Sequence, residues 1–157
     1  MADPKKVAQG KKSRTQGNAF EKRVRKDLEE KGWIVDKWSN NVEFDMDVID
    51  IKGNVAMKLG KLVPAKAKWN NFTKSMMMGT GGFPDFVAFR VADSIGPHNY
   101  CEVIGVESKM AGKLDKAEKE KCKWLLDNHI FSKILIAKKE KIKNRIYIIY
   151  EEFENDK

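Results

Sequence analysis

The sequence predicts an α/β domain of the α+β kind, a mixed sheet flanked by helices, and three observations lead there. An apolar residue recurs every four positions through "GNAFEKRVRKDLEEKGW", which is helical spacing. Strand-forming runs follow in "WIVDKW", "FVAFRV" and "YCEVIGVESK". A second helical segment, "LDKAEKEKCKWLLDNH", precedes two more apolar runs, "FSKILIAKK" and "NRIYIIYEEF". The order is helix, three or four strands, helix, strand, strand, with no internal repeat. At 157 residues the chain suits one domain with a real core.

Residues 1–17 are basic and polar and are expected to form a flexible arm, with a single domain over 18–157. Asn18 is the expected N-cap of the first helix, Phe20, Val24 and Leu28 its buried face, and Gly32 its stop. "WIVDKW" is a short strand beside that helix. In "VEFDMDVID" the apolar Val42, Phe44, Met46 and Val48 alternate with acidic residues, which predicts a half-buried strand with a solvated acidic face. The acidic row lacks the loop glycine and terminal glutamate of a calcium-binding EF-hand. From Ile51 to Pro84 there is no acid, while Lys52, Lys58, Lys61, Lys66, Lys68 and Lys74 are interleaved with Trp69 and Phe72. Such one-sided charge favours a nucleic-acid backbone. Trp69 and Met76 to Met78 are expected to pack on the core instead. "GTGGFPDFVAFRV" turns into a strand, and Gly96-Pro97 in the next short connection predicts a hairpin with "YCEVIGVESK". In the second helix Leu114, Ala117, Cys122, Leu125 and Leu126 form the apolar side.

Lys plus Arg total 31 against 23 Asp plus Glu, a net charge of +8, which attracts polyanions. Cys101 and Cys122 are too few for a disulfide framework, and with His98 and His129 isolated a zinc site is not expected. No apolar run approaches the roughly 18 residues of a membrane span. The polar N-terminus does not resemble a signal peptide. An intracellular location is therefore expected, or a host cytoplasm for a viral gene.

"VIGVESKM" carries the chemistry. Its apolar half suits a buried strand, with Gly105 the exception, and then Glu107 and Lys109 appear on one face. In an antiparallel hairpin Asp85, at the start of the preceding strand, lies beside Glu107 at the end of this one. Two carboxylates and an ammonium thus meet beyond the core. A strand-end salt bridge is the simpler reading. It is worth only about 0–1 kcal/mol when exposed, which gives little reason to break a core pattern with two acids. Phosphodiester hydrolysis asks for such a set: Mg²⁺ takes a couple of carboxylates plus waters and phosphate oxygens, and an ammonium stabilises developing charge.

These residues carry a family resemblance. Pro84-Asp85, about twenty residues before Glu107-Ser108-Lys109, resembles the PD-(D/E)xK nuclease signature. The "GNAFEKRVRKDLEEKGW" helix resembles the opening helix of archaeal Holliday junction resolvases, and "GTGGFPDFVAF" resembles their glycine-rich turn. The resemblance covers most of residues 14–138 and implies a restriction-endonuclease-like αβββαβ core. Here that core would carry an insertion after its first strand, at about 40–78.

The resemblance implies that Asp85, Glu107 and Glu21 reach a metal, with the Ser108 carbonyl as a further ligand and Lys109 as the catalytic lysine. Glu21 also fits a plain surface glutamate. In the second helix either Glu118 or Lys121 faces the site. Lys58, Lys61, Lys66, Lys68 and Lys74, with Gly81, Gly82 and Lys113, form the expected DNA-binding set. The implied protein is a Mg²⁺-dependent DNA endonuclease (Mn²⁺ substituting) acting on branched or structured DNA as a homodimer, with no membrane partner or small-molecule cofactor. The alternative is a non-catalytic nucleic-acid-binding module on a nuclease-like scaffold. A sequence-specific restriction-type enzyme is a weaker idea, because no base-reading motif is legible.

Overall fold

The four-residue apolar period does form a helix, α1 (Pro4–Glu30), and Phe20, Val24 and Leu28 are exposed by 5%, 0% and 1%. Burying side chains of this size contributes about 1.5–3 kcal/mol each. The computed structural model describes residues 4–71, 74–77, 81–95 and 98–154. Gly32 ends α1 as expected, with φ of 84°. Its N–H donates to Glu29 (3.0 Å) and the Trp33 N–H to Leu28 (3.1 Å), a Schellman closure for which glycine has no steric penalty.

The start of α1 corrects the expected arm over residues 4–17, residues 1–3 lying outside the described residues. The helix begins at Pro4, so Asn18 lies inside it and caps nothing. Once residues 18–30 are fixed by the core, extending a helix requires no new nucleation, and Ala, Gln, Lys and Arg propagate it well.

The strands are β1 (Ile34–Lys37), β2 (Asn40–Ile49), β3 (Val55–Pro64), β4 (Lys68–Asn70), β5 (Ser75–Met77), β6 (Phe86–Ile95), β7 (His98–Ser108), β8 (Lys133–Ile142) and β9 (Arg145–Glu152), with α2 (Lys116–Asp127) between β7 and β8. Five of them form one sheet in the order β1-β6-β7-β8-β9. Only the β7–β8 pair is parallel, joined through α2, so the sheet is mixed. The fold is thus α+β, with one helix on each face. Phe20, Val24 and Leu28 of α1 pack with Val35, Phe86, Ile104 and Val106 on one face. Cys122 and Leu125 of α2 pack with Phe83, Phe131, Ile134 and Ile136 on the other. Ala117, expected on that apolar side, is exposed. The α2 N-terminus is closed by a capping box, the Glu118 N–H donating to Asp115 (2.8 Å) and the Asp115 N–H to Glu118 (2.9 Å).

Gly105, the exception in its strand, has a packing reason. A Cβ there would lie 2.8 Å from Pro84 Cγ and 3.1 Å from the Phe131 ring. Any side chain at 105 would push Pro84, and with it Asp85, out of place.

β2–β3 and β4–β5 form two separate ribbons outside the main sheet. The alternation expected for Val42 to Val48 holds only in its first half. Val42 is buried and Phe44 half-buried, but a bulge between Phe44 and Met46 shifts the register. The extra residue reverses which side faces inward. Met46 and Val48 therefore turn to solvent opposite Leu59 and Met57, and Asp47 pairs with Lys58. Trp69 (54% exposed) and Met76 (50%) also fail to reach the core, contrary to expectation. Phe72, Met78 and the Gly96-Pro97 turn lie outside the described residues.

Candidate active site

The β6–β7 register sets Phe86 opposite Val106, which brings Asp85 and Glu107 together at one end of the sheet. The two acids are laced through the backbone. The Asp85 N–H donates to Glu107 Oε2 (3.0 Å), and the Ser108 N–H donates to Asp85 Oδ2 (2.9 Å). Each carboxylate thereby commits one oxygen to the scaffold and turns the other toward a lysine. Glu107 Oε1 lies 3.4 Å from Lys109 Nζ, and Asp85 Oδ1 lies 3.8 Å from Lys37 Nζ.

Among the described residues Glu107 is the one charged residue that is buried, 6% exposed. Burial first, and then the charge of Asp85, push its carboxyl up to about 8. Asp85 is also raised, by burial and then by Glu21, against the hydrogen bond from Ser108 and the charge of Lys37. Burial opposes the charged form of Lys109, but the hydrogen bond to Glu118 and the charge of Glu107 outweigh it and hold the ammonium above its usual value.

Of the two α2 residues left open, Glu118 reaches the site. It pairs with Lys109 through Oε1 while Oε2 serves the capping box. Lys121 instead lies over the Phe83 ring at 5.5 Å. Glu21 faces the site from α1, but its carboxylate is held by Lys37 at 2.5 Å. Lys37, at the end of β1, also sits over the Phe86 ring at 4.8 Å. Sequence reasoning missed it. The only local signal was a lysine in a short strand, and its place depends on β1 pairing with β6 across the whole intervening ribbon segment.

Within the expected DNA-binding set, Lys58 and Lys61 are matched by acids. Lys58 pairs with Glu120 (2.9 Å) and Asp47 (3.8 Å), and Lys61 with Asp45 (3.2 Å). The stretch without acids is thus partly neutralised in space by β2 and α2. Lys74 is exposed at a position of φ 48°. Lys66 and Gly81 line a recess of about 300 Å³ beside β2 and β3, and Lys113 lines another of about 530 Å³ beside α2. The side chain of Lys68 lies outside the described residues. Gly82 has a structural role: a Cβ there would come within 2.1 Å of the Asn40 carbonyl oxygen.

Among the described residues no three His, Cys, Asp or Glu side chains form a ready metal cluster, Glu21 being engaged by Lys37. The donor set nevertheless suits a hard divalent cation. Two largely buried carboxylates, both raised in pKa, each present an oxygen that accepts no backbone N–H, and Mg²⁺ takes one or two such groups together with water and phosphate. Around them four carboxylates (Glu21, Asp85, Glu107, Glu118) face two ammoniums (Lys37, Lys109), an excess of negative charge. Among the described residues no helix is long and apolar enough to cross a membrane. Comparison with protein-family models, curated proteins and solved structures finds no match to this chain.

Proposed function

We propose that the protein is a Mg²⁺-dependent DNA endonuclease of the PD-(D/E)xK type. The observation that carries this reading is the pairing of Asp85 with Glu107 at the sheet end, with Lys109 beside them. The order α1-β1-β6-β7-α2-β8 supports it, since it is the αβββαβ order of a restriction-endonuclease-like core once the ribbons are set aside. Asp85, Glu107 and the Ser108 carbonyl would hold the metal, which when bound lowers the pKa of water and neutralises phosphate charge. The protein's own residues do the rest. Lys109, kept charged and held by Glu118, would stabilise the charge gathering on the attacked phosphate. Glu107 has to lose its proton before it serves as a ligand.

Incubation with plasmid, single-stranded and four-way-junction DNA, with and without Mg²⁺, tests the proposal. Cleavage should require metal and fall at least about a thousandfold in Asp85→Ala and Glu107→Ala. Cleavage surviving both substitutions sinks it. The alternative, a binding module without catalysis, predicts salt-sensitive DNA binding and no metal-dependent cleavage.

Lys37 provides a second check. It lies where a cation would otherwise compensate Glu21 and Asp85, so Lys37→Met should tighten Mn²⁺ binding by roughly threefold or more in calorimetry. Unchanged or weaker binding would mean that Lys37 does not compete for the site.

A further inference from the structure

We propose that duplex DNA is held along the α1 face by two basic projections, the first half of α1 and the β8–β9 hairpin, which leave the core at the end of the sheet bearing Asp85 and Glu107. This rests on the nuclease reading and names the form of its substrate near the site, a double-stranded arm.

Charge location is the first ground. Lys58 and Lys61, expected to meet DNA, are matched by acids. The C-terminal half of α1 is matched too, through Arg25–Glu29, Lys26–Glu30 and Lys31–Asp27. From Pro4 to Phe20, by contrast, the chain has five basic residues and no acid. Lys11, Lys12 and Arg14 are exposed and make no ion pair among the described residues.

Position is the second ground. α1 meets the site at Glu21 and runs from there over the core to Leu28, so the residues before Glu21 extend past the site end. Arg14 stands two turns before Glu21 on nearly the same face. At 1.5 Å per residue it lies about 10 Å beyond Glu21, and Lys11 about 15 Å. That is about three to five base-pair steps of duplex at 3.4 Å each. On the other side β8 passes the site at Ala137, whose carbonyl accepts the Lys109 N–H (2.9 Å), and continues to Ile142. Lys139 and Lys141 stand opposite Ile148 and Ile146. Ile148 packs on the α1-face cluster, so both lysines project from that face, exposed and without ion pairs among the described residues.

The chemistry of these projections selects the partner. No aromatic residue lies between Pro4 and Ala19, so the helix extension has no platform for stacking unpaired bases. It has too few apolar residues to lie in a membrane interface. Separate exposed cations with neither feature suit the regularly spaced phosphates of a duplex.

The test is binding to a short duplex in EDTA across a salt series. Three variants are compared with the wild-type chain: K11A/K12A/R14A, K139A/K141A and K58A/K61A. The first two should each lose about tenfold or more in affinity and lower the slope of log affinity against log salt by about two, whereas K58A/K61A should change affinity less than about twofold. Melting temperatures should stay within a few degrees of the wild-type value for the first two, because the replaced side chains are exposed and, in α1, alanine keeps the helix. Wild-type affinity in either basic variant overturns the proposal, as does an equal loss in K58A/K61A. Preference for anionic phosphatidylserine vesicles or for single strands over duplex also overturns it. No metal is present, so a failure of the catalytic reading appears only in the cleavage assay and leaves this result separate.

Discussion

Glu107→Gln is expected to stabilise the metal-free protein at and above neutral pH while removing its affinity for Mn²⁺. In the folded chain burial and Asp85 raise the Glu107 carboxyl from 4.5 to about 8, so between these values the native state holds a proton that the unfolded chain has released. Stability is then fully present below about pH 4.5 and declines as pH rises toward 8. The glutamine cannot ionise, its carbonyl can still accept the Asp85 N–H, and Lys109 keeps its partner Glu118. The gain at pH 8 should be on the order of 4 kcal/mol, vanishing near pH 4. Denaturant midpoints across that range check it, and a flat difference between variant and wild type would refute the account. The same proton must leave before metal binds. Wild-type Mn²⁺ affinity should therefore climb with pH until about 8, by up to about tenfold per unit.

Gly82→Ala should be the most destabilising glycine-to-alanine change among the described residues. The new Cβ would lie 2.1 Å from the Asn40 carbonyl oxygen, 2.6 Å from that of Trp38 and 2.7 Å from the Asn40 nitrogen. These are backbone atoms that cannot rotate away. Relief requires breaking the hydrogen bonds from Gly82 to Trp38 (3.1 Å) and from Phe83 to Asn40 (2.9 Å). The loss should exceed about 3 kcal/mol, with Asp85 displaced three residues downstream. Urea unfolding measures it, and a variant within about 1 kcal/mol of wild type would show that the segment yields more easily than its geometry implies.

The parts of this arrangement legible in the sequence are those fixed by local pattern. The α1 face, the β6–β7 hairpin and the meeting of Asp85 with Glu107 follow from periodicity, a short connection and antiparallel register. What escaped depends on partners distant in the chain. Lys37 enters the site only through β1–β6 pairing, and Lys58 loses its availability to Glu120 on α2. A single bulged residue near Asp45 reverses the outward face of β2, which no alternation count detects. The helical start of α1 was hidden because a basic polar segment has the composition of an arm until a folded helix lies beside it to extend.

The hydrogen bonds that join Trp38 and Asn40 to Gly82, Phe83 and Asp85 have a consequence for where the chain tolerates insertion. They draw together the two ends of the segment bearing β2 to β5, so the main chain leaves the sheet and returns to it at one neck. The entropy of closing such a loop rises by only about 0.6 kcal/mol for each doubling of its length. Lengthening the segment beyond its packed base therefore costs little. Its far end can change length at small cost, while Val42 and Lys58 tie its base to α2 and the neck, with the glycine that permits it, holds Asp85 in register.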